Sequence, residues 1–131
     1  MATRDCAHLP VWKESVDLAH AVLASLEESG ARGTGAGRDA CRAAVSIPSL
    51  VEEALFDEGG RDAAAALDRA RAGLGALRER LLAPDLADLI PPGERSSLWE
   101  GISRLDRDLA ATSGASARSG AGPDPSIGEL R

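Results

Sequence analysis

Aromatic residues are nearly missing from this 131-residue chain: there is no Tyr, one Phe and two Trp. A core without aromatic mass must be filled by aliphatic side chains, and Ala and Leu supply most of the 44% hydrophobic content. Both favour helix, while the β-branched and aromatic strand formers are scarce, which argues for an all-helical domain. Only two cysteines occur, Cys6 and Cys41, too few for the disulfide framework of a small secreted domain. Cys41 is expected to act as a small core residue. The opening MATRDCAHLP has no apolar run of signal-peptide length, and no stretch approaches the roughly 20 apolar residues of a membrane span. A cytoplasmic protein with no membrane contact is therefore expected. Positive charge is also short. The net charge of −6 disfavours nonspecific attraction to phosphate or anionic lipid.

What is present is helical periodicity. Residues 1–8 read as an irregular lead-in, 9–112 as one helical domain, and 113–131 as a flexible Gly/Ser/Pro-rich tail. In the first helix Trp12, Val16, Ala19, Leu23 and Leu26 step by four, three, four and three, the spacing of one helix face. The run GARGTGAG (30–37) is expected to be a loop, because glycine is costly inside a helix. It superficially suggests a nucleotide loop, but no strand precedes it and no Gly-Lys-Ser/Thr follows. The second helix, about 38–58, carries Cys41, Ala44, Val51 and Leu55 on one face and Pro48 in its middle. A proline there lacks the N–H for the Ala44 carbonyl and costs roughly 3 kcal/mol. A kink near Ser46–Ser49 is expected, with the hydroxyls of Ser46 and Ser49 offered to freed carbonyls and Glu53 near enough to serve the opened backbone.

The third helix, about 61–83, has the most regular pattern: Ala63, Leu67, Ala70, Leu74, Leu77 and Leu81 alternate steps of four and three. PDLADLI (84–90) predicts one further turn, and the fourth long helix, about 94–112, aligns Leu98, Ile102, Leu105 and Leu109. Four amphipathic helices with short connections point to an antiparallel up-down four-helix bundle with a kinked second helix and a disordered C-terminal tail.

Two stretches, VWKESVDLA (11–19) and RAAVSIPSLVEEA (42–54), resemble the bacterial four-helix-bundle proteins encoded by intervening sequences of large-subunit ribosomal RNA genes. ARAGLGALRERL (70–81) adds a looser match. Leu50 and Ala54 depart from the family's usual Asn and Gly, while Glu53 is kept. The resemblance implies a compact bundle without enzymatic activity. It also implies self-association, since some members are pentamers, and RNA binding, since a relative is an RNA-binding accessory to a reverse transcriptase.

The chemistry of the residues points the same way. Asp17 and His20 stand three apart, but a di-iron bundle needs a second such pair and two further glutamates, and only two histidines exist. No Ser/His/Asp grouping or zinc spacing appears, so neither catalysis nor a cofactor is expected. Helix three is locally basic, and Arg71 and Arg78, seven apart, share a face. They are candidates for RNA or intersubunit contacts, although the acidic total disfavours RNA and no aromatic interleaves to stack bases. Pairing with the acidic helices is the plainer expectation. The tail ends PSIGELR (125–131), which resembles the C-terminal loading peptides of encapsulin cargo: Ile127 and Leu130 would fill apolar pockets of a shell protein, Gly128 would allow the turn, and Arg131 supplies the basic end. The expected function is thus a non-catalytic, self-associating adaptor or scaffold. The alternatives are a nanocompartment cargo docked inside a shell and an RNA-binding accessory protein.

Overall fold

The computed structural model describes the backbone of residues 2–56 and 63–121, and side chains of residues 8–56 and 63–112. Every regular element among them is helical: α1 (Ala2–Glu28), a 3-10 turn (Ala31–Gly33), α2 (Gly35–Phe56), α3 (Ala63–Leu82), the single turn α4 (Pro84–Ala87) and α5 (Pro92–Ala121). Each of the four long helices packs on two others: α1 on α2 and α5, and α3 on α2 and α5, with the most extensive packing between α2 and α3. One aliphatic core joins them, including Val22, Leu26, Ile47, Val51, Leu74, Leu77, Leu105 and Leu109. Leu86 and Ile90, from and just after the α4 turn, are buried at the same core.

The apolar stripe expected of the third helix is the buried stripe of α3, save that Ala66 is buried and Ala63 only half-buried. Leu98, Ile102, Leu105 and Leu109 are all buried on α5. The first helix requires a correction. Its buried face is Ser15, Leu18, Ala19, Val22, Ser25 and Leu26, whereas Trp12, Val16 and Leu23 are half-buried at its edge. Two serines interrupt the apolar pattern of the true face. Each is accommodated by a hydrogen bond: Ser15 Oγ donates to the Trp12 carbonyl, and Ser25 Oγ donates to Glu94 Oε1 on α5 at 2.7 Å. Cys41 is likewise half-buried, its place at the core taken by Ala40.

The boundaries also differ from expectation. Residues 2–8 continue α1 rather than forming an irregular lead-in, since no glycine interrupts them and Pro10 is tolerated within the helix. α5 continues past Thr112 to Ala121, where Ala and Arg offset the glycines and the first proline comes only at Pro123. The glycine-rich stretch is mostly ordered turn and helix. Gly30 takes φ 77°, a left-handed conformation that glycine accepts without steric cost, and reverses the chain after α1. Thr34 then starts α2: its Oγ1 accepts the Gly37 N–H at 2.9 Å and donates to the Ala31 carbonyl at 2.7 Å. Gly37 is required by close approach, because a Cβ there would lie 2.7 Å from the Ala31 carbonyl carbon.

α2 runs without interruption through Pro48. Ser46 Oγ donates to the Ala43 carbonyl at 2.8 Å, and Ser49 is exposed. Glu53 is exposed and lies 3.5 Å from Arg69 on α3.

Candidate functional site

An open groove of about 790 Å³ runs between α1 and α5. Its walls are set by the helical repeat: Leu9, Lys13, Glu14 and Asp17 from one side, Ser97, Gly101 and Arg104 from the other, with Leu18 and Leu98 toward the core. Gly101 keeps the helices close, since a Cβ there would stand 3.1 Å from Leu18 Cδ1. Leu9 is 44% exposed. The result is an apolar trough with charged rims.

Glu14 is the electrostatic anomaly of this groove. Its Oε2 is sealed from solvent and no donor reaches it. Burial pushes the carboxyl up to about 7, and the neighbouring Asp108 carboxyl of α5 pushes in the same direction; Arg104 and Arg107 pull part of this back. Two carboxylates have no proton to share, whereas one retained proton makes the contact a hydrogen bond between α1 and α5. A carboxyl in this state can donate or accept a proton near neutrality. Sequence reasoning missed the pair because the partners belong to the first and last helices and neither lies in a motif.

The second feature lies on the other flank of α5, against α3. Arg71 donates from Nε to Asp106 Oδ1 at 2.9 Å and from a terminal nitrogen to Oδ2 at 3.3 Å, a two-pronged pair. Its partner is thus on α5, while Arg69 has the expected acidic partner on α2. Arg78 makes no ion pair among the described residues. Arg71 and Arg78 line one hollow of about 330 Å³, which Arg107 and Ser103 of α5 complete. An adjoining hollow of about 340 Å³ is lined by Trp99, Glu100, Ser103, Arg104 and Arg107. Trp99 therefore stands beside Arg104 and Arg107 of its own helix, in a hollow next to the one that Arg71 and Arg78 line.

Pro48, Ser46, Ser49 and Glu53 lie on α2, away from both features. Ile127, Gly128, Leu130 and Arg131 fall outside the described residues. Among the described residues no three His, Cys, Asp or Glu side chains gather as metal ligands, and no helix is long and apolar enough to cross a membrane.

Fold and surface together define an all-helical protein with four long helices and a groove on one seam. No protein-family model, curated protein or solved structure matches the chain.

Proposed function

We propose that this chain is a non-catalytic, self-associating helical protein that works as an adaptor or scaffold, its long helices running up and down as an antiparallel bundle. The observation that carries the reading is the α1–α5 groove, an apolar trough with a partly exposed leucine at its mouth. Apolar surface left in water is unfavourable by about 25 cal/mol per Å², and a second protein surface relieves it. The complementary surface lies at the corner around α4. Leu82 and Leu89 are 55% and 43% exposed there, with Asp85 and Asp88 exposed alongside. Two leucines seated in the groove of a second copy would bring those aspartates toward Lys13 and Arg104. A contact between different patches of identical chains closes into rings or extends into filaments.

The antiparallel course is supported by pairings that rise on one helix as they fall on the other: Ser25 with Glu94 and Leu18 with Gly101 on the α1–α5 seam. On the α2–α3 seam Glu53 meets Arg69, and Leu50 meets Gly73. A bend at Pro48 follows from its missing N–H and from the crowding of its ring against the preceding turn.

Analytical ultracentrifugation tests the reading. The wild-type chain is expected to sediment as an oligomer, and Leu9→Glu or the pair Leu82→Glu/Leu89→Glu to release monomer with unchanged helicity. A wild-type protein that stays monomeric at high concentration would refute it.

A further inference from the structure

We propose that the seam between α3 and α5 is a binding site for the phosphate of a small nucleotide, with Arg78 and Arg107 as the cationic clamp, Ser103 as a hydroxyl donor and Trp99 as the surface on which the base lies. The site lies on the α3 side of α5 and meets the groove at Arg104, which lines both the groove and the Trp99 hollow.

Three observations carry it. The two hollows share Ser103 and Arg107 in their linings, and each is within the size range of small-ligand sites. Its clamp is available: Arg78 and Arg107 form no ion pair among the described residues, Arg107 influences the Glu14 carboxyl without pairing with it, and the Asp106 carboxylate is already occupied by Arg71. That pair fixes one wall without neutralising the clamp. Gly75 leaves the α3 side open, since a Cβ there would meet nothing within 4 Å.

Spacing gives the ligand class. Trp99, Ser103 and Arg107 follow one another at every fourth residue of α5, which places the backbone of Trp99 about 12 Å along the helix axis from that of Arg107. A nucleoside di- or triphosphate is about that long, with a flat apolar base at one end and a fork-matching anion at the other. Base stacking on an aromatic and phosphate contact with arginine are both favourable at a partly exposed site. The surrounding charge selects against a polymer. With a net charge of −6, the protein repels a long polyanion, whereas a small one needs only the local cluster.

Isothermal titration of the full chain with ATP at low ionic strength tests the proposal, with inorganic triphosphate and a single-stranded oligonucleotide titrated in parallel. ATP is expected to bind in a salt-sensitive manner. Arg78→Ala/Arg107→Ala should weaken it by about tenfold or more for each lost charge-assisted contact. Both arginines are exposed, so this variant should keep its fold, which helicity and melting temperature verify. Trp99→Leu should weaken ATP while leaving inorganic triphosphate unchanged. The proposal is overturned if ATP does not bind, if the double arginine variant binds it equally, or if the oligonucleotide binds without competition from ATP.

Discussion

Replacing Gly37 by alanine would put a Cβ 2.7 Å from the carbonyl carbon of Ala31, closer still to its oxygen, and 3.0 Å from Thr34 Oγ1. The neighbour is backbone and cannot rotate aside. The 3-10 turn would have to retreat by about 1.5 Å to bring the carbonyl oxygen to ordinary contact distance. Such overpacking costs about 1–3 kcal/mol. The displacement also stretches the Thr34 cap on the Gly37 N–H, worth about 1 kcal/mol. Against this stands a gain of up to about 1 kcal/mol for alanine over glycine in a helix. The net is a destabilisation of about 2 kcal/mol, or a fall in Tm of about 6–8 °C for a domain of this size. Gly75→Ala is the matched control: the same substitution in the middle of α3, where nothing stands within 4 Å of the new Cβ. It should raise Tm by about 2–3 °C. Thermal melts followed by helical circular dichroism read both. If the two variants shift Tm in the same direction and by similar amounts, the close approach of the 3-10 turn to α2 is refuted.

Two further outcomes follow from the core and from the α1–α5 seam. Leu77→Ala removes a fully buried side chain and should cost about 2–5 kcal/mol in a urea titration. Because the Glu14 carboxyl is raised from 4.5 to about 7, the folded state holds more protons than the unfolded chain across that window, so its contribution to stability is lost as pH rises from about 4.5 to 7. Glu14→Gln should remove this slope and make the protein more stable than wild type at pH 8 by about 1 kcal/mol, allowing for solvent screening of a partly exposed group. An unchanged pH profile of the wild type-minus-variant difference would show that Glu14 ionises normally.

The sequence was most legible where aliphatic residues keep the helical step with no polar residue among them. Leu67, Leu74, Leu77 and Leu81 on α3, and Leu98 to Leu109 on α5, are buried as their spacing predicts. It misled on α1, where Ser15 and Ser25 occupy core positions and the eye follows Trp12 and Leu23 instead. A hydrophobic pattern does not register a serine whose hydroxyl is satisfied by Trp12 or Glu94. The glycine run was misjudged for a related reason. Propensity counts glycines one by one, while Thr34 supplies the cap that lets α2 begin among them. The two candidate surfaces were illegible because each joins helices far apart in the chain. Arg71 and Arg78 were visible as a pair, but Arg107 joins them only once α5 is folded against α3.

The placing of α5 also bears on how the protein assembles in time. α1, α2 and α3 meet as consecutive neighbours, so their contacts close short loops. The α1–α5 seam instead joins distant parts of the chain; its Ser25–Glu94 hydrogen bond spans 69 residues. Closing such a loop carries a larger entropic penalty, which favours early pairing of the first three helices and later docking of the last. α5 contributes to the groove and to the basic seam alike. A transient release of this one helix would therefore dismantle both surfaces together, while α1, α2 and α3 kept their own contacts.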